Sequence, residues 1–217
     1  MVHAQEVKQI PQISVSGEGK IKVIPDEATI TVAVENSGKD ATEVKKLNDA
    51  TVEKVLKAIK QAGIAPTDFQ SQRVNLNKNY DYNTKKYSYV ANQTISIHLK
   101  DLTKYDKLMM DLVDSGINNI QGVAFASSKI KEFERQARKE AMLNAKEKAT
   151  DYVSVLAGQK VGKAILISDN SSTNYPRPPM YAMKSMAMAD SDSMPRETLA
   201  IGEIEIIATV NVSFTLE

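Results

Sequence analysis

The sequence has no cysteine, so disulfide staples, thiolate nucleophiles and cysteine-ligated metals are excluded together. Histidine is nearly missing as well, with only His3 and His98 present. A hydrolase built on a serine nucleophile needs a positioned base, and a zinc or iron centre needs three or four converging ligands. One internal histidine meets neither demand, although carboxylate-only sites stay open. Excess charge of either sign is lacking: 28 Lys and Arg against 27 Asp and Glu leave a net charge of +1. No global field draws in nucleic acid or anionic lipid. Long hydrophobic runs are also missing. The densest are AILI at 164–167 and IEIIATV at 204–210, far short of the roughly 18 to 20 residues that span a bilayer. What remains is ordinary globular material, 217 residues of which 42% are hydrophobic and 25% charged, enough for one large domain or two small ones.

Residues Met1 to Gln5 read like the tail of a secretory leader, with Val2 and Ala4 fitting the small-residue cleavage rule. The expectation is an exported, periplasmic protein whose signal peptide has been replaced by a start methionine, with residues 1–10 as a tail. His3 receives no functional weight for the same reason. From Ile13 to Asn36 apolar and polar residues alternate on both sides of Pro25 and Asp26, which predicts two half-buried strands joined by a tight turn. Asp40 and Glu43 form a D-x-x-E capping arrangement ahead of a helix whose stripe is Val44, Leu47, Thr51, Val55, Ala58, Ile59 and Ala62. Period two returns from Phe69 to Leu99, broken at 81–86, which predicts a long hairpin. A short helix from about Thr103 to Gly116 and a strand around Ile120 to Phe125 follow.

Without its first strand this order is β-α-β-β-α-β, the split arrangement of ferredoxin-like folds. The predicted class is α+β, an antiparallel sheet with that core. It is extended by the N-terminal strand, by a long helix stepped with Ala137, Ala141, Ala145 and Ala149, and by a C-terminal strand pair at 161–168 and 203–216. Residues 11–217 are expected to form a single domain with two subdomains, about 11–128 and 129–217. Residues 170–198 are rich in Ser, Pro, Met and Asp and lack either period, which predicts a mobile insertion.

Three blocks carry a resemblance: ISVSGEGKIKVIPDEATI, DLTKYDKLMMDLVDSGINNIQGVAF and ARKEAMLNAKEKATDYVSVLAG. In this order, followed by a last strand that Gly202 introduces, they resemble the SIMPL-domain family, mainly bacterial exported proteins of a domain of unknown function. The resemblance spans nearly the whole chain. It implies periplasmic or envelope placement, an α+β fold and homo-oligomers, with rings in some members and a link to oxidative-stress defence in others. It supplies no catalytic residues.

The candidate sites are few. Tyr80, Tyr82, Tyr87 and Tyr89 flank one hairpin turn, and amphipathic rings on a projecting feature suit a protein interface as well as ordinary cross-strand packing. Met180, Met183, Met186 and Met188 lie in the insertion. Thioether sulfur is soft enough for Cu(I), but no histidine accompanies them and Lys184 repels cations, so an oxidation-sensitive or partner-docking loop, or a plain insertion, competes with a metal site. Pro25, Asp26 and Glu27 read as turn chemistry, the glycines of GEG at 17–19 as a strand bulge or bend, and His98 as a solvated surface side chain. The functional expectation is a non-enzymatic, self-assembling envelope protein without cofactor, nucleic-acid partner or transmembrane segment. The competing expectation is a ligand- or metal-binding periplasmic module that uses the methionine loop.

Overall fold

A computed structural model describes residues 10–82, 85–171 and 199–217. The elements run β1 (Gln12–Val23), β2 (Glu27–Gly38), α1 (Ala41–Gln61), β3 (Phe69–Asp81), β4 (Lys86–Leu99), α2 (Tyr105–Asp114), β5 (Asn119–Ala126), α3 (Ile130–Ser154), β6 (Val161–Asp169) and β7 (Ile204–Leu216), with 3-10 turns at Pro66–Asp68 and Leu102–Lys104. Helices and antiparallel sheets are mixed, so the class is α+β. The chain divides into two compact units, an inserted unit over residues 24–128 with 199–202, and a terminal unit over 10–23, 129–171 and 203–217.

The inserted unit has a four-stranded sheet in the order β3-β4-β2-β5, each neighbouring pair antiparallel. Alternation puts Ile30, Val32 and Val34 of β2 and Ile95, Ile97 and Leu99 of β4 on one face, where they are fully buried with Val55 and Ile59 of α1 and Leu108 and Leu112 of α2. Asp40 caps α1, its carboxylate accepting the Glu43 amide at 2.9 Å, as the D-x-x-E spacing predicts. The buried stripe of α1 is rotated from the expected one. Leu47 is exposed, whereas Asn48 and Val52 are buried. Asn48 is polar yet satisfied, donating to the Val34 carbonyl at 3.1 Å and to Asn36 Oδ1 at 3.1 Å, which is why hydrophobicity alone misses it.

The terminal unit has a three-stranded sheet in the order β1-β7-β6, with an unbroken register from Gln12↔Thr215 to Val23↔Ile204. This overturns the expected hairpin of β1 with β2. Period-two alternation reveals which face of a strand is buried but not which strand lies beside it, and the true partner lies at the other end of the chain. The GEG reading is also corrected, because the register of β1 shows no shift at Gly17 or Gly19. A Cβ on Gly17 would run into the Ala141 carbonyl oxygen and, at 2.7 Å, the Ala145 methyl. On Gly19 it would meet the Ala137 oxygen and, at 2.6 Å, the Ala141 amide. The two glycines and the fully buried Ala137, Ala141, Ala145 and Ala149 are therefore one device, side chains reduced on both sides so that α3 lies directly on β1. Val210, Val212 and Phe214 complete this second core.

Candidate functional site

The outer part of the β3–β4 hairpin extends beyond its partner β2. β2 ends at Gly38, opposite Tyr89, so among the described residues the two strands pair only with each other from Tyr87 and Ser88 outward. β3 is an edge strand, and from Gln70 to Tyr80 every residue is exposed. A register shift between Ser71 and Arg73 changes which of its side chains face the core side. Beyond it Val74, Leu76 and Tyr80 stand opposite Gln93, Ala91 and Tyr87, and directly opposed residues share a face. Ala91 is on the face of Ile95 and Ile97, so Val74, Leu76, Tyr80 and Tyr87 continue the core face outward. They remain 56%, 43%, 39% and 57% exposed.

The four tyrosines singled out from sequence are thus brought together in part. Tyr80 packs edge-on against Tyr82 at 5.0 Å and tilted against Tyr87 at 4.8 Å, and Lys78 places Nζ 4.0 Å from the Tyr87 ring centre. Tyr82 is 84% exposed. Tyr89 stands opposite Lys78 at the base of the arm, half-buried. Val74 and Leu76 were not selected from sequence. The signal was there, since apolar residues occupy an odd position at Phe69 and even positions at Val74, Leu76 and Tyr80, a change of parity that marks a bulge.

A second cluster lies at the opposite end of this sheet. His98 Nε2 is 3.3 Å from Glu27 Oε2, and the two stand on paired strands β4 and β2. His98 is half-buried and ion-paired when protonated, which corrects its reading as a solvated side chain. Strand pairing across the β2–β4 seam, invisible to local pattern, supplies its partner. Lys100 Nζ binds Asp68 at 2.7 Å, and that contact holds the Asp68 carboxyl below the ordinary carboxylate range. Asp26 turns elsewhere. Its carboxylate accepts from the Ser128 amide at 2.7 Å and the Ser128 hydroxyl at 2.5 Å, which lowers its pKa. Asp26 and Glu27 therefore do not converge, and among the described residues no group of three or more His, Asp or Glu could hold a metal ion. Met180, Met183, Met186 and Met188 lie outside the described residues, as does most of the expected insertion at 170–198. Among the described residues no helix is long and apolar enough to cross a membrane.

Comparison with known proteins follows the same lines. The chain is 28% identical over 217 residues to "Uncharacterized protein YggE" of Escherichia coli strain K12, an alignment that covers 99% of this chain and 87% of that protein. It is 28% identical to the "26 kDa periplasmic immunogenic protein" of Brucella melitensis biotype 1, covering 98% of this chain and 88% of that one. Among solved structures, AtUAH in complex with (S)-hydroxyglycine overlaps 61% of this chain and 35% of its own at 9% identity, with a TM-score of 0.26, too little to bear on the fold. The profile of the family described as "SIMPL: Protein of unknown function (DUF541)" matches residues 13–214, and the chain belongs to the SIMPL family.

Proposed function

We propose that this chain is an exported, non-enzymatic protein of the periplasm or envelope that assembles with copies of itself through the β3–β4 hairpin. The observation that carries the reading is the stretch of apolar core face left open along Val74, Leu76, Tyr80 and Tyr87, on an edge strand whose outer backbone groups have no strand beside them among the described residues. An exposed edge of this length is a template for another strand, and proteins that stay monomeric usually shield it with bulges, prolines or inward charges. Here the bulge between Ser71 and Arg73 keeps apolar residues on the open face. Clustered tyrosines add rigid, amphipathic contact area at low entropic cost, the usual composition of an interface centre. A second copy is the favoured occupant because one surface supplies both an unpaired edge and an apolar face, as a self-complementary contact requires.

The periplasmic part of the reading draws on the name of the Brucella relative. The non-enzymatic part draws on the roles of the described polar groups, in which Asp26 secures a loop, Asp40 caps a helix and Glu27 pairs with His98 across two strands. Any contribution to oxidative-stress defence then runs through the assembly rather than through a reactive centre. Light scattering on the intact chain tests the proposal. The expected wild-type mass is a multiple of the chain mass that falls toward one chain in Tyr82→Ser/Tyr87→Ser and in Val74→Lys/Leu76→Lys, with circular dichroism unchanged. A wild-type monomer at high micromolar concentration, or an oligomer that both double variants leave intact, overturns it.

A further inference from the structure

The glycines that bring α3 onto β1 leave the far side of the same sheet open. Helix α3 rests on β1 and β7, so among the described residues β6, the edge strand beyond β7, has no comparable cover and is exposed from Lys163 to Asp169. Along this side of α3 lies a shallow, open groove of about 630 Å³. Its helix wall is Arg135, Arg138, Lys139, Met142, Leu143 and Lys146, and Phe214 of β7 forms its floor. The helix positions step by three and four, so they form a single face, and that face carries four cations and no acid. The other flank of α3 faces β1 and is occupied, Asn144 accepting the Glu18 amide and Lys148 reaching the Ser16 carbonyl.

Met142 and Phe214 supply an apolar base, and Leu143 is 68% exposed above it. Across the sheet Ile167 stands opposite Val212 and shares its core-side face, but is 55% exposed, so the apolar strip continues onto β6. Glu147 and Asp151 lie beside Leu143 and Lys146 at one end of the groove, and near Arg138 the acid is Asp169. Its carboxyl is held below the ordinary range mainly by the Ser171 hydroxyl and amide, with Arg138 a smaller contributor. With Lys146 beside two acids, the cations concentrate at Arg135, Arg138 and Lys139, which outnumber Asp169.

We propose that this groove binds a single-chain amphipathic anion, an unbranched alkyl or acyl chain lying on Phe214, Met142, Leu143 and Ile167 with its carboxylate or phosphate among Arg135, Arg138 and Lys139. A wholly apolar ligand leaves the cationic wall unused, and a small inorganic anion leaves the floor wet. The two chemistries side by side fit a ligand that has both. Guanidinium groups supply the forked donors that carboxylate and phosphate accept, and each methylene laid on the floor multiplies affinity by up to about fourfold.

Calorimetric titration of the intact protein with octanoate, decanoate and dodecanoate, each below its aggregation concentration, tests this directly. One site per chain is expected, tightening with chain length. Nonyl maltoside, with the same nine-carbon alkyl tail as decanoate but a neutral head, is expected to bind at least about tenfold more weakly than decanoate, the worth of a charged hydrogen bond. Arg135→Gln/Arg138→Gln is expected to lose a similar factor for the anions and nothing for the maltoside, and Leu143→Asp to weaken both. These side chains are exposed or half-buried, and should a variant fail to fold, the wild-type comparisons of head group and chain length decide alone. The proposal is overturned by no saturable binding of dodecanoate, by equal affinity for the neutral amphiphile, by indifference to the arginine substitutions, or by binding to vesicles of anionic phospholipid without binding to the monomeric acids.

Discussion

At the scale of single residues, polar side chains fix places where hydrophobicity is silent. Asn48 sits on the buried face of α1 and joins it to β2 through the Val34 carbonyl. Removing it leaves buried acceptors without their donor, so Asn48→Ala is expected to cost about 1 to 3 kcal/mol, read as a lower urea midpoint at unchanged slope. Asp26 makes a prediction in pH. Its folded pKa is depressed by Ser128, so its stabilising contribution is present above the usual value of 3.8 and is lost as pH falls through the lower, folded value. The midpoint of Asp26→Asn should therefore lie below wild type at neutral pH, and the two should converge on acidification. Asp40 was legible from its spacing to Glu43, because a cap is a local event. The bonds of Asn48, Asp26 and His98 were not, because each partner lies on a different element, up to 102 positions away.

At the scale of elements, the small residues of β1 and α3 act as a matched pair. A methyl on Gly19 has to enter space held by the Ala137 carbonyl and Ala141 amide, which are backbone atoms of a packed helix and have no flexible end to swing aside. Gly19→Ala is thus expected to destabilise by about 1 to 3 kcal/mol through overpacking, although alanine is the better strand residue of the two. Thermal denaturation monitored by circular dichroism measures it, and a variant as stable as wild type refutes the close approach. The alanine spacing was enough to foresee a helix lying near some neighbour. That the neighbour is the GEG strand was not legible, since glycine in a strand signals bulge and close approach alike. The hairpin was read correctly in its limits, and its hidden continuation through Val74 and Leu76 turned on one bulge at Ser71 to Arg73.

At the scale of the whole molecule, the decisive fact is that one unit interrupts the other. Pairing Gln12 with Thr215 closes a loop of 203 residues, the difference of the two positions, whereas the core of the inserted unit is drawn from between Ile30 and Val123. Loop-closure entropy grows with the logarithm of loop length, so the β1–β7 contact has the larger entropic cost while the chain is disordered. Once residues 24–128 are folded, that segment no longer behaves as a flexible loop and the cost falls. The inserted unit should therefore order first, with the terminal unit waiting on it. Pulsed hydrogen exchange during refolding is expected to protect the amides of β2 and β4 before those of β1 and β7. An excised fragment of residues 24–128 is expected to keep a cooperative thermal transition, because its core borrows nothing from β1, α3, β6 or β7. Simultaneous protection of both sheets, or a fragment without a transition, would show that the two cores form only together.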